Sequence, residues 1–162
     1  MSTTTGYSPL QIVLHWGVAL GVLFNYFVSE GMEDAFDAAV EGEAMAEPAG
    51  FGIPGGHVWV GVAVLALVVI RLFVRRSQGA PAAEPGFAGV LATWGHRALY
   101  LLMLAVPALG AISWFGGIDA TAEPHALLAN ALMVLAGAHA LMALFHQYVL
   151  KDGVLARMLR AR

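Results

Sequence analysis

Four long stretches of the chain are nearly free of charged residues, and the charged residues cluster between them. The stretches cover about residues 10–28, 57–74, 96–117 and 125–149, and their only charges are Arg71 and Arg97. A membrane-spanning helix needs about 20 apolar residues, and backbone polar groups in lipid must be paired within the span. The pattern therefore predicts an all-α integral membrane protein, an up-down four-helix bundle that occupies residues 1–162 as one domain.

The composition supports a membrane protein and excludes several kinds of binding site. Hydrophobic residues make up 59% of the chain and charged residues 12%, about half of the ~25% found in soluble domains. Because the chain has no cysteine, disulfides, thiolate metal sites and covalently attached haem are excluded. The net charge of −3 offers no general attraction for nucleic acid.

The charges between the spans predict the orientation in the membrane. All eight Lys and Arg lie between residues 71 and 97 or after residue 150, whereas seven acidic residues lie between Glu30 and Glu47. By the positive-inside rule, both termini and the second connection are cytoplasmic. Residues 31–56 are predicted to form an outer loop, with a short surface helix as an alternative.

The six histidines fall into layers when helix depth is counted. On the fourth span His125 and His139 are 14 residues apart, so they share one helix face and differ by ~21 Å in depth. Counting from the outer surface pairs His57 with His125 and His15 with His139. The same count puts His96 level with His146 at the cytoplasmic end.

Opposed imidazoles suit the two axial positions of a haem b iron, so the two deep layers predict two haems b in the bundle core. Zinc fits less well, because a structural zinc site needs four ligands and each layer supplies two. Interhelical hydrogen bonding is a simpler alternative for each histidine alone. A haem-free membrane scaffold or a proton-conducting transporter would use the histidines for proton transfer.

Other polar residues near the cytoplasmic side are candidates for further binding roles. Arg71 lies 14 residues after His57 and could bind a haem propionate or a quinone, or serve as a snorkelling anchor. A quinone needs hydrogen-bond donors and a proton source at the membrane surface. His96, His146, Trp94 and Lys151 are candidates for that quinone site, with interfacial polar residues as the alternative reading.

Several motifs resemble the bacterial cytochrome b561 family, across most of the chain apart from residues 31–56 and the third connection. They are YSPLQIVLHW at residues 7–16, HVWVG at 57–61, GHRALYLL at 95–102, HALLAN at 125–130, GAHA at 137–140 and HQYVLKD at 146–152. The resemblance implies a bacterial inner-membrane dihaem cytochrome that exchanges electrons with ubiquinone or menaquinone. It also implies that His15 and His139 hold the inner haem and His57 and His125 the outer one.

The resemblance further implies an oxidoreductase, since some members are superoxide:ubiquinone oxidoreductases. A related possibility is a cytochrome b anchor subunit of a membrane dehydrogenase or hydrogenase. The acidic first connection departs from what a superoxide site needs, because it repels anions. Superoxide is therefore one candidate donor without being preferred, and a periplasmic donor protein with a basic face is another.

Overall fold

The computed structural model describes residues 6–42, 53–81 and 85–161, and every regular element within them is helical. The long helices are α1 (Pro9–Phe27), α3 (Ile53–Gln78), α4 (Phe87–Gly116) and α5 (Ala122–Phe145), and α2 (Met32–Glu41) is short. Helix α5 continues into a π-helical turn at His146–Leu150, and 3-10 turns lie at Asp119–Thr121 and Leu155–Met158. The four long helices are long and apolar enough to cross a membrane, which confirms the predicted fold class.

Helix α1 begins at a capping box that the sequence encodes locally. The Ser8 hydroxyl accepts from the Gln11 backbone N–H, and the Gln11 side chain accepts from the Ser8 N–H. Pro9 follows at the first helical position, where its missing N–H costs nothing. The same residues join α1 to the end of α3, because Gln11 Nε2 donates to the Gly79 carbonyl and Ser8 Oγ to Gln78 Oε1.

Contacts between the helices show that neighbours run antiparallel. Arg71 of α3 lies over the Tyr100 ring of α4, while Trp59 and Phe115 contact each other at the other end of these helices. Ser113 of α4 contacts Thr121, which ends the 3-10 turn just before α5. We call the end where α1 ends and α3 begins the acidic end, and the opposite end the basic end. The acidic end carries Glu33, Asp37, Asp119 and Glu123, and the basic end follows the Arg75–Arg76 turn of α3.

Aliphatic side chains fill the middle of the bundle. Two clusters of buried residues form there, and Val22 and Met103 pack against both. Their buried members are Val18, Val64, Val68, Leu99, Val106 and Leu132. Because Leu132 lies seven residues from both His125 and His139, the packed core separates the acidic-end histidines from the basic-end ones.

Two connections differ from the simplest prediction. The short surface helix considered for the first connection forms as α2, whose Phe36 is buried, while residues 43–52 of that connection lie outside the described residues. Helix α4 begins at Phe87, nine residues before the predicted start of the third span. His96 therefore lies in the third turn of a long helix and not at its beginning.

Candidate functional site

A pair of imidazoles faces across the bundle at the acidic end. The ring centroids of His57 in α3 and His125 in α5 are 6.1 Å apart, and the ring planes are nearly perpendicular at 79°. His57 Nδ1 lies 3.1 Å from the Asn25 carbonyl oxygen, and His125 Nδ1 lies 2.8 Å from that of Val106. Since a carbonyl oxygen only accepts, both Nδ1 atoms carry the hydrogen, which leaves each Nε2 available as a ligand.

Two glycines make room for this arrangement. A Cβ atom on Gly110 would lie 2.8 Å from His125 Cε1, so only glycine lets the imidazole lie against α4. A Cβ atom on Gly61 would lie 3.1 Å from Asn25 Nδ2. The Asn25 amide uses that space to donate to the His57 backbone carbonyl at 3.1 Å.

The acidic-end pair lines a cavity of about 630 Å³, a volume typical of cofactor and small-molecule sites. Most lining side chains are apolar, and four carboxylates line it as well: Glu33, Asp37, Asp119 and Glu123. A metal–imidazole bond is about 2 Å long, so two opposed rings on one metal atom have centroids about 6 Å apart. The measured separation and the free Nε2 atoms fit a six-coordinate haem iron.

The basic-end layer contains three imidazoles. The centroids of His15 and His139 are 6.4 Å apart, which again matches two rings on one iron atom. His96 lies closer to His139, at 5.2 Å, and its Nδ1 donates to the Ala92 carbonyl at 2.7 Å. The predicted level of His96 beside His146 is therefore wrong, because the early start of α4 carries His96 deeper, into the layer of His139.

A cation and buried polar atoms surround this layer. The Arg71 guanidinium carbon lies 5.6 Å from the centre of the Tyr100 ring. Among the described residues, the Tyr100 hydroxyl and His15 Nδ1 are buried without hydrogen-bond partners. A buried polar atom without a partner costs ~1–3 kcal/mol. This layer is thus suited to a bound group that carries negative charge or accepts hydrogen bonds.

The remaining quinone candidates have other contact partners than His96 in the described part of the chain. His146 begins the π-helical turn, and its Nδ1 donates to the carboxylate of Asp152, which follows that turn. This hydrogen bond, with a second from the Val154 N–H, holds the pKa of Asp152 below its usual value. Trp94 is exposed and stacks with Arg97, whose guanidinium carbon is 4.8 Å from the Trp94 ring centre. Lys151 is exposed, and its backbone adopts the left-handed conformation, with φ of 57°.

Sequence reasoning missed three residues that structure places at these sites. Asn25 contacts His57, Tyr100 contacts Arg71, and Asp152 contacts His146. Asn25 could have been singled out as a polar residue inside an apolar span, where such residues need partners. The Asp152 contact had no comparable signal, because it depends on the backbone reversal after Leu150.

Opposed imidazole pairs within an apolar four-helix bundle are the architecture of membrane cytochromes of the b type. The description "Prokaryotic cytochrome b561" belongs to a family model that matches residues 6–161. The chain belongs to the prokaryotic cytochrome b561 family, whose members are membrane electron-transfer proteins, and the family implies haem b.

Three relatives align with nearly the whole chain. A protein named cytochrome b562 from Cereibacter sphaeroides is 49% identical over 162 residues, which is 100% of both chains. A probable superoxide oxidase CybB from Yersinia pestis is 32% identical and aligns with 94% of this chain and 95% of its own. Cytochrome b561 homolog 1 of Escherichia coli is 29% identical over 96% of this chain.

Proposed function

We propose that this protein binds two haems b and conducts electrons between a donor at the acidic end and a quinone at the basic end. The observation that carries the proposal is the pair of opposed imidazole sets, with centroid separations of 6.1 and 6.4 Å, in two separate layers. His57 and His125 would hold one haem, and His15 and His139 the other. Each haem supplies a one-electron redox centre when bound.

The distance between the layers suits electron transfer through the bundle. His125 and His139 are 14 residues apart on α5, which is ~21 Å between iron positions at ~1.5 Å per residue. The porphyrin edges would lie much closer than the iron atoms. The core around Leu132 separates the layers and packs together the helices that carry the ligands.

The basic end supports reaction with a quinone. Arg71 lies over the Tyr100 ring, and Tyr100 is about one helical turn from His96 on α4. The Arg71 guanidinium and the Tyr100 hydroxyl would offer a positive charge and a donor to a haem propionate or to a quinone oxygen. His146 begins the π-helical turn and Asp152 follows it, and the two residues could exchange protons with reduced quinone there. Trp94 and Lys151 remain candidates for the same surface. By the positive-inside rule this end faces the cytoplasm.

The acidic end supports a cationic donor better than free superoxide. Four carboxylates line the cavity that contains the outer pair, and such a field slows the approach of an anion. A redox protein with a basic face would instead be attracted. Superoxide is the second candidate donor, favoured by the 32% identity to the probable superoxide oxidase.

The deciding experiment is the visible spectrum and haem content of the purified protein. We expect about two non-covalent haems per chain, with the sharp reduced α band of low-spin bis-histidine haem b. The reduced protein should then be reoxidised by added quinone. A folded but colourless preparation would contradict the proposal and favour a haem-free scaffold or proton-conducting transporter. Two haems without quinone reactivity would favour an anchor subunit of a dehydrogenase.

A further inference from the structure

A reciprocal contact joins Asn25 of α1 to His57 of α3. The Asn25 side-chain amide donates to the His57 backbone carbonyl, while the Asn25 backbone carbonyl accepts from His57 Nδ1, both at 3.1 Å. The two bonds link the same two residues in opposite directions. They therefore fix both the backbone position of His57 and the rotation of its imidazole ring.

We propose that Asn25 is a positioning residue that sets the orientation of His57 and thereby the strength with which the acidic-end haem is held. The inference rests on the proposed function, since it assigns a role toward that haem. Hydrogen-bond partners of ligating histidines set the tautomer and ring orientation, and their loss typically weakens metal binding by 10–100-fold. Here the partner of Nδ1 is a main-chain carbonyl, so the side chain acts by keeping that carbonyl in place.

The surroundings of Asn25 indicate that its side-chain amide does more than fill space between the helices. Asn25 Oδ1 is buried without a hydrogen-bond partner among the described residues, an arrangement that an apolar side chain of similar size would avoid. Gly61 lies opposite, where a Cβ atom would approach Asn25 Nδ2 to 3.1 Å. Both residues also line the cavity that contains His57 and His125.

A simple interhelical bond would be the competing explanation, and a second bond near the other ends of the same two helices provides a comparison. Ser8 Oγ, at the start of α1, donates to Gln78 Oε1, at the end of α3, at 2.6 Å. This bond also ties α1 to α3, but in the described structure neither partner lines the cavity or forms a hydrogen bond with a histidine. If Asn25 acted only as a tie between helices, removing either bond would have similar consequences.

The test measures how fast haem leaves the purified holoprotein for excess apomyoglobin, together with the electron paramagnetic resonance signals of the oxidised haems. Asn25→Leu replaces the amide with an apolar group that has the same branching and number of heavy atoms, and Gly61→Ala retains the amide but displaces it. Both should release the acidic-end haem at least about tenfold faster and shift its resonance signal. The basic-end haem should keep its wild-type rate and signal, and Gln78→Ala, which removes the Ser8–Gln78 bond between the same helices, should leave both haems unchanged.

Two further arms identify the haem and separate the possible failures. In a His125→Ala background, which should retain only the basic-end haem, Asn25→Leu should have no effect on the release rate. Equal acceleration of both haems, or wild-type behaviour of Asn25→Leu and Gly61→Ala, would overturn the positioning role. If Asn25→Leu does not fold, Gly61→Ala decides alone. A wild-type protein without haem would instead refute the proposed function.

Discussion

At the scale of single residues, each histidine of the acidic-end pair depends on a carbonyl oxygen from a different helix. His57 of α3 donates to α1, and His125 of α5 donates to Val106 of α4. The four helices thus meet at one pair of rings. The basic-end layer is built differently, because His15 Nδ1 has no partner in the described structure and His96 donates within its own helix.

The ligand assignment predicts which haem each histidine holds. His57→Ala or His125→Ala should lower the haem content from about two to about one per chain and remove the acidic-end haem, because one axial ligand is lost. His15→Ala or His139→Ala should remove the other haem. The measurement is haem per chain combined with redox titration of the haem that remains. His146→Ala is the control and should retain both haems.

His96 is the competitor in this experiment, because its ring lies 5.2 Å from that of His139. We expect His96→Ala to retain two haems and to slow quinone exchange. Loss of a haem in His96→Ala, with normal content in His15→Ala, would make His96 the axial partner of His139 and contradict the assignment.

At the scale of elements, the end of α5 departs most from regular helix. The chain passes through the π-helical turn at His146–Leu150 and reverses at Lys151. Asp152 then accepts from His146 and from the Val154 N–H. The tail continues to Met158, whose carbonyl accepts from Trp16 Nε1 of α1 at 3.0 Å.

This element should respond to acid. The hydrogen bond from His146 lowers the pKa of Asp152, so the folded protein favours the ionised carboxylate. The resulting stabilisation is present above the ordinary aspartate pKa of about 3.9 and is lost as pH falls through the lower folded value. Hydrogen exchange of residues 152–158, corrected for intrinsic rates, should therefore accelerate below about pH 4.

Substitution at Asp152 provides the check on this prediction. Asp152→Asn should accelerate exchange of the tail already at neutral pH and remove most of its acid dependence. Asp34→Asn, on α2 at the opposite end, should leave the tail unchanged. Tail exchange that follows the same pH profile in Asp152→Asn and the wild type would show that another group controls this end.

At the scale of the whole molecule, the charges are polarised along the bundle axis. Acidic side chains line the outer cavity, and the turn at Arg75–Arg76 marks the other end. Long-range fields of this kind act on the rates of encounter with charged partners and weaken with ionic strength. The sign of the salt effect therefore reports the charge of the donor.

Stopped-flow reduction of the haems at low and high salt should separate the donors. Added salt should slow reduction by a basic carrier protein and speed reduction by superoxide, because screening weakens attraction in one case and repulsion in the other. The double substitution Glu33→Lys with Asp37→Lys should shift both rates in the same directions as salt does. Glu41→Lys, on the same helix but outside the cavity lining, is the matched control.

Rapid reduction by superoxide at a rate that falls with salt would contradict this interpretation of the charges. It would require a local positive field near the outer haem that outweighs the four carboxylates. If the double substitution changes neither reduction rate, the donors meet the protein at a surface away from α2.

The sequence by itself determined the four spans and the two opposed histidine pairs. Both depend on local properties: apolar runs must be long enough to cross the lipid core, and a 14-residue spacing returns a side chain to the same helix face. His57 with His125 and His15 with His139 followed from counting depth along such helices, and the structure brings both pairs to about 6 Å.

Only the tertiary structure decided which other residues meet these pairs. His96 lies beside His139 because α4 begins at Phe87, and hydropathy does not reveal that start because Arg97 interrupts the apolar run. The contact of Asn25 with His57 requires α1 and α3 to approach at Gly61. Such contacts depend on the rotation and separation of whole helices. The packing of all four helices determines these quantities together, and the periodicity of a single helix does not reveal them.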